Sequence, residues 1–405
     1  MALEARLAGA DDAILGVAPR RAYWPESEAE CADVIARERG PLAFIGGGTA
    51  MGVGGVPSAL EAVLHTGRMA RVIDFAPADM VISVEAGVTL AQLQSVARAE
   101  RQMLALDAPQ PDLATAGGLV ATGAFGPRRA RYGAIRDLII GVAMVRADGQ
   151  VARGGGKVVK NVAGFDLPKV LCGSLGTLGL VSAATFRLHP LPELSATVLV
   201  PELTAEQVVA LVEQVRAAQL EPASSVALRG EGGRFDLGLR FEGFARGTRD
   251  QTARAAALAR AAQLPCEALA DDAGFWRRHD RVRAAGPLRA RLCALPSELA
   301  GMDRLVAPIL AALRGGAFVW YASLGIGFAA GEPTDAAAAG AALSAARAEL
   351  VAAGGSLVLE DAPPAVRALV DPWGPTPGAF SLMVELKRRF DPHGRLNPGR
   401  FVGGL

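Results

Sequence analysis

The chain is poor in the residues that build metal and disulfide chemistry. Among 405 residues there are four cysteines, Cys31, Cys172, Cys266 and Cys293, and four histidines, His65, His189, His279 and His393. The cysteines stand far apart and no Cys-x-x-Cys occurs, which argues against an iron–sulfur cluster or a zinc site built from this chain. A few scattered cysteines in a large chain are more often buried apolar residues than a disulfide framework. Charge of one sign is not in excess either: 42 Lys plus Arg against 41 Asp plus Glu leaves a formal net charge of +1. With no basic run interleaved with aromatics, nothing points to nucleic acid. Apolar stretches are interrupted by charge or glycine well short of about 18 residues, so no membrane span is expected. The opening MALEARLAGADDAILG carries acids and lacks an apolar core of about 7–15 residues, so no signal peptide is expected. The expected location is the cytoplasm, with at most a peripheral place on the inner membrane face through partners.

What the chain does have is length, apolar residues and glycine. The length suits two or three domains, and a composition 51% hydrophobic and 20% charged is that of a well-cored protein. Up to about residue 190 it is dense in glycine and short strands. LAFI (42–45), RVIDF (71–75) and MVISVEAG (80–87) read as strands, and Thr89 with Gln92 forms a capping-box pattern ahead of a helix. DLIIGVAMVRADGQVARGG (137–155) reads as a hairpin turning at Asp148-Gly149, and 176–190 as a closing strand. HPLPEL (189–194) carries two prolines and marks a boundary. Beyond it the order strand, helix, strand, strand, helix suits a ferredoxin-like domain.

The stretch FIGGGTAMGVGG (44–55) breaks an apolar run into glycines. No Lys follows as a P-loop requires, and the third glycine of a Gly-x-Gly-x-x-Gly fingerprint would fall on Met51 or Pro57. The companion motifs of a kinase glycine loop are missing. What remains is Gly46-Gly47-Gly48-Thr49: glycines allow close backbone approach, and a hydroxyl adds a donor. Alone, such a turn is more often a plain loop than a cofactor site. Two further glycine segments, at 111–137 and at Gly173, Gly176 and Gly179, change the reading, because several backbone-approach segments in one domain suit a long ligand such as a dinucleotide.

Together these motifs resemble the flavin-binding domain shared by vanillyl-alcohol oxidase and p-cresol methylhydroxylase. The matching residues are Gly46–Ala50, Ala114-Thr115-Ala116-Gly117-Gly118, Arg131-Tyr132-Gly133 with Asp137, the spaced Gly173, Gly176 and Gly179, and a closing Phe390-Asp-Pro-His-Gly-Arg-Leu-Asn397-Pro-Gly. Segments 126–141 and 155–179 are most similar to the E subunits of bacterial glycolate oxidases. The resemblance implies an α+β chain: a two-subdomain FAD-binding domain at 1–190, divided near 75, a ferredoxin-like domain at 191–385, and a tail at 386–405 that returns to the flavin. It implies FAD, with the pyrophosphate on Gly46, Gly47, Gly48, Thr49 and Ala50. Further contacts would come from Thr115, Gly117, Gly118, Thr122 and Gly126, and from Gly179 and Val181 at the adenine end, with Asn397 at the isoalloxazine. It also implies an oxidoreductase acting on CH–OH groups, glycolate to glyoxylate, in a complex with a second FAD subunit and an iron–sulfur subunit.

Two departures sharpen these expectations. Some relatives carry a histidine straight after the glycines, bonded covalently to the flavin; here that place is Thr49, so FAD is expected to be held non-covalently. Related D-2-hydroxy-acid dehydrogenases carry histidine motifs where this chain reads Tyr321–Phe328 and Leu359–Pro363, and both are absent. The isolated chain is therefore expected to oxidise glycolate or D-lactate poorly. The alternative is a stand-alone FAD-dependent oxidase or dehydrogenase of another 2-hydroxy acid or alcohol, acting through Lys160, Asn161 or an arginine. No catalytic residue is assigned. His65 and His189 read as structural, His279 as part of a solvated helix face, and His393 as a turn residue. Lys157, Lys160 and Asn161 suit either a carboxylate or a loop paired with Asp166, and Arg128, Arg129 and Arg131 either an anion or solvent.

Overall fold

The computed structural model describes residues 3–156, 166–269 and 271–405. The chain forms two compact units. The first comprises Met1–Gly126, Gly133–Leu191 and Pro375–Leu405; the second comprises Pro127–Tyr132 and Pro192–Gly374.

Besides a two-stranded ribbon, the first unit holds two sheets among the described residues. One takes β1 (Arg6–Leu7), β2 (Arg21–Tyr23), β3 (Leu42–Ile45) and β4 (Ala62–His65) in the order β1-β2-β4-β3, with β4 parallel to both β2 and β3. Parallel strands are covered on both faces, which accounts for the unbroken apolar LAFI of β3 and AVL of β4. The other sheet takes β5 (Val72–Ala76), β6 (Val81–Glu85), β8 (Ile139–Val145), β9 (Val151–Gly155) and β10 (Leu180–Arg187), all antiparallel, in the order β5-β6-β10-β8-β9. β7 (Gln102–Met103) pairs with β11 (His189–Pro190). The helix Leu90–Ala99 begins at the Thr89–Gln92 capping box that the sequence announces. The break between the sheets falls between His65 and Val72, ahead of the expected division near 75.

In the second unit the chain runs strand, helix, strand, strand, helix, strand twice. The first pass is β12 (Leu194–Leu203), helix Ala205–Ala217, β13 (Ser224–Arg229), β14 (Phe235–Gly243), helix Ala245–Ala261 and β15 (Glu267–Leu269). The second is β16 (Leu288–Cys293), helix Leu299–Ala311, β17 (Leu313–Tyr321), β18 (Ile326–Pro333), helix Ala336–Ala352 and β19 (Ser356–Asp361). All eight strands share one antiparallel sheet, β15-β12-β14-β13-β17-β18-β16-β19, so each pass has its strands in the order 4-1-3-2 and the two halves meet at β13 and β17. The connectivity read from the sequence is that of the first pass; its repetition was not read. The four long helices pack one face, where Phe235, Leu237, Phe318 and Trp320 are buried.

Two boundaries differ from the expected ones, for visible reasons. Residues 127–132 join the second unit because Arg128 reaches the fully buried carboxylate of Glu242 (Nη2–Oε1 2.6 Å) and Arg131 donates to the Glu242 carbonyl. The chain re-enters the first unit at Pro375, not 386, because Leu386 and Phe390 of the helix Phe380–Phe390 pack against its core.

Candidate functional site

Four segments of the first unit line an open cleft. They are the end of β3 with the loop 46–51, the start of the helix Ala116–Thr122, the segment 175–181, and the tail around Asn397 and Arg400. The tail is set by backbone pairing. Leu42 and Leu396 form a parallel bridge, the Leu42 amide donates to the Arg395 carbonyl, and the Asn397 amide donates to the Leu42 carbonyl, both at 2.7 Å. The tail thus runs as an extra strand beside β3 and leaves Asn397 next to the glycine loop.

The glycines serve two purposes. Most exist because chain meets chain. A Cβ on Gly47 would lie 1.7 Å from the Leu113 carbonyl oxygen, and one on Gly46 would lie 2.2 Å from Thr115 Oγ1. One on Gly117 would lie 2.8 Å from the Ala86 Cβ. Gly48 differs: it sits at φ +72° with no heavy atom within 4 Å of its absent side chain. That position needs glycine for its backbone and leaves open space beside it.

Of the residues expected to meet a cofactor, Gly46, Gly47, Gly48, Thr49, Ala50, Thr115, Gly117, Gly118, Thr122, Gly179, Val181 and Asn397 all line this cleft. Gly126 does not; a Cβ there would lie 2.2 Å from the Asp107 carbonyl oxygen, so its small size serves packing. Several lining residues carried no sequence signal, among them Phe44, Thr66, Leu175 and Arg400. Arg400 is buried and clamps the loop, its Nη2 donating to the Met51 carbonyl (2.8 Å) and Nη1 to that of Gly55 (2.9 Å). An Arg directly after Pro-Gly is visible in sequence, but its reach back across the fold is not.

The polar inventory of the cleft fits a dinucleotide diphosphate. No backbone N–H from Gly47 to Ala50 has an acceptor among the described residues, so four adjacent donors remain for a ligand. The helix 116–122 contributes differently. Its first amides are committed, Ala116 to the Val88 carbonyl, Gly117 to that of Ala86 and Gly118 to Thr115 Oγ1, so this segment offers close approach and not donors. Asn397 is 3% exposed, holds φ +46°, and its side-chain nitrogen Nδ2 has no partner among the described residues. A buried unpaired donor is costly, which is the mark of a group awaiting an acceptor. Among the described residues that line the cleft only Arg400 is ionisable. The described residues of the lining are thus suited to binding and orienting a ligand, and none of them is a carboxylate, histidine or cysteine.

A buried ionic staple supports the tail. Lys387 Nζ donates to Asp391 Oδ2 (2.7 Å) and to the carbonyls of Thr177 (2.8 Å) and Leu396 (2.9 Å). Burial holds the Lys387 ammonium below its ordinary pKa, against the opposing pull of Asp391. Arg395, also buried, donates to the carbonyls of Glu38, Ile35 and Ala147.

The other residues singled out in the sequence are placed as follows. His65 stacks on Trp24 and meets Asp12 at 2.7 Å, and His393 is exposed. His279 is not on a solvated face: it is 4% exposed and its Nε2 meets the Tyr321 hydroxyl at 2.8 Å, because its helix covers the second face of the sheet with Trp276 and Phe275. Arg128 faces Glu242, neither solvent nor the cleft. Lys157, Lys160 and Asn161 lie outside the described residues. Burial raises the thiol pKa of Cys31 to about 12 and of Cys172 to about 11, so both stay protonated at neutral pH. Among the described residues no group of His, Cys, Asp or Glu is arranged to hold a metal, and no helix is long and apolar enough to cross a membrane.

Comparison with known proteins adds a name to the cleft. Residues 19–155 match the family model described as FAD binding domain. The chain is 34% identical over 216 residues to a D-lactate dehydrogenase of Archaeoglobus fulgidus, covering 51% of this chain and 48% of that protein. It is 32% identical over 152 residues to the glycolate oxidase subunit GlcE of Escherichia coli, covering 37% and 42%. These matches span less than half the length of either relative. Among solved structures, p-cresol methylhydroxylase with substrate bound superposes with a TM-score of 0.73 at 16% identity, over 95% of this chain and 89% of that one. That likeness is one of fold.

Proposed function

We propose, for a chain that carries the FAD binding domain of vanillyl-alcohol oxidase and p-cresol methylhydroxylase-type flavoproteins, that it is the FAD-binding subunit of a glycolate oxidase complex. The observation that carries FAD is the run of unpaired amides at 47–50 facing a cleft that also holds the unpaired Asn397 amide. The likeness to a glycolate oxidase subunit supports the assembly. In this reading Gly46–Ala50 and Arg400 hold the diphosphate, Gly117, Gly118, Gly179 and Val181 let the cofactor approach the backbone, and Asn397 donates to the isoalloxazine. Thr49 in place of a histidine leaves FAD non-covalently bound.

Bound FAD supplies two-electron redox chemistry: a 2-hydroxy acid gives up two electrons and two protons to become a 2-oxo acid, as glycolate becomes glyoxylate. The chain's residues position that cofactor and exclude water. Taking the proton from the substrate hydroxyl needs a base, and none is present among the described residues that line the cleft. A second FAD subunit would supply it, and an iron–sulfur subunit would accept electrons. The proposed location is cytoplasmic, peripheral on the inner membrane face through those partners. A stand-alone dehydrogenase of another 2-hydroxy acid is the second reading, favoured by the likeness to a D-lactate dehydrogenase.

Anaerobic addition of glycolate or D-lactate to the purified chain separates the two. The complex reading expects bound FAD whose visible absorbance persists in the isolated chain and bleaches when partner subunits are present. Complete bleaching of the isolated chain would establish the second reading instead.

A further inference from the structure

His279 joins two groups that differ sharply in exposure. Its Nδ1 lies 2.9 Å from Oδ1 of Asp280, whose side chain is 76% exposed, and its Nε2 lies 2.8 Å from the hydroxyl of Tyr321, which is fully buried. What each group can donate fixes the order. A carboxylate only accepts, so Nδ1 of the neutral ring carries the proton. Nε2 then presents a lone pair, and the Tyr321 hydroxyl donates to it. Asp280 and His279 stand on the helix Ala273–Ala284 and Tyr321 ends β17, so the chain of three runs from solvent to the covered face of the sheet. All three belong to the second unit, and none lines the FAD cleft.

A phenol held this way is ready to lose an electron. The cation radical of a phenol is a very strong acid, so oxidation without a base is costly. With Nε2 in hydrogen-bond contact the proton leaves as the electron does, and the product is a neutral phenoxyl radical. The surroundings suit that product. Tyr321 is walled off from solvent, and its ring centre lies 5.3 Å from that of Phe328 and 5.6 Å from that of His279. Trp276, a second readily oxidised ring on this face, lies edge-on to His279 at 5.9 Å, but the Arg240 guanidinium sits 3.7 Å from a Trp276 ring centre. A cation there opposes positive charge on the indole, so the electron leaves from Tyr321 in preference.

We propose that Tyr321 is a redox-active tyrosine, a one-electron donor that quenches peroxyl radicals reaching the exposed Asp280 side of its helix, with His279 as the proton acceptor. Asp280 is the positioning residue that fixes the imidazole tautomer. The proposal stands independently of the FAD reading. The peroxyl radical takes one electron from Tyr321 and a proton from water and leaves as a hydroperoxide. The tyrosine O–H bond breaks and its proton passes to His279 Nε2, giving an imidazolium that faces the Asp280 carboxylate. A thiolate closes the cycle: it gives one electron and becomes a thiyl radical, while the proton returns from His279 to the phenol.

The test mixes the full chain with hexachloroiridate(IV), a one-electron oxidant, and reads the frozen mixture by electron paramagnetic resonance. A neutral tyrosyl radical is expected. It should be lost in Tyr321→Phe and kept in Tyr23→Phe and Tyr132→Phe, which remove the other two tyrosines of the chain. Its formation should slow in heavy water. His279→Gln keeps an acceptor for the hydroxyl but offers no base, so the radical should form at least about tenfold more slowly. Asp280→Asn, at an exposed position, no longer fixes the ring tautomer and should slow formation in the same direction, which keeps the test open if His279→Gln folds poorly. A chain that yields no tyrosyl radical, a radical undiminished by Tyr321→Phe, or one formed at the wild-type rate in both His279→Gln and Asp280→Asn would overturn the proposal.

Discussion

Lys387 and Asp391 form a buried ion pair one helical turn apart, Nζ to Oδ2 2.7 Å, and Asp391 Oδ2 also accepts the Leu396 amide at 2.7 Å. The pair fixes where the tail leaves its helix, and so where Asn397 meets the cleft. Removing one partner strands the other. Lys387→Met should lose about 3–5 kcal/mol in chemical denaturation, and the double variant Lys387→Met, Asp391→Leu should recover part of that loss.

The same lysine gives a pH signature. Its folded pKa lies below the ordinary 10.5 because burial disfavours the charged form. Between the folded value and 10.5 the unfolded chain binds more protons, so this group's contribution to stability rises with pH there. It is lost as pH falls through the folded value. Denaturation midpoints measured from neutral to alkaline pH should show a rising component that is absent from Lys387→Met.

Gly47 and Gly48 should fail differently. Gly47→Ala drives a Cβ to 1.7 Å from a carbonyl oxygen and should destabilise the first unit outright. Gly48→Ala meets no atom but strains a left-handed backbone by about 1–2 kcal/mol. It should keep its circular dichroism while its ratio of flavin to protein falls sharply.

Asn397 can be separated into backbone and side chain. Asn397→Gly keeps the φ of +46° and removes the unpaired amide. FAD affinity should drop about tenfold, on the order of 1–1.5 kcal/mol, with little loss of stability. Flavin fluorescence titration of the apoprotein reads the first and thermal melting the second. An unchanged affinity would remove Asn397 from the isoalloxazine.

Thr49 can form no flavin bond of the histidine kind. Acid precipitation should release all the flavin to the supernatant and leave none with the protein.

The sequence carried the local devices well. The Thr89–Gln92 box, the Asp148-Gly149 turn, β3 and the glycine loop stand where their residue patterns place them, since each depends on neighbours within a few positions. The family resemblance carried by those short motifs also implied twelve residues that the fold gathers around one cleft. The sequence misread His279, whose flanking arginines suggested solvent while its ring packs inward, since a helix with Arg277 and Arg278 outside and Phe275 and Trp276 inside looks polar in one dimension.

By itself, then, the amino-acid order determined the elements, their caps and turns, and the backbone-approach segments, all of which follow from side-chain size and local hydrogen bonding. Only the tertiary structure decided which glycines touch chain and which open on space, and that Arg400 clamps the loop it follows by some 350 positions. Those are contacts between distant residues, and no local preference encodes them: they exist once β3, the tail and the segment 173–181 are packed together.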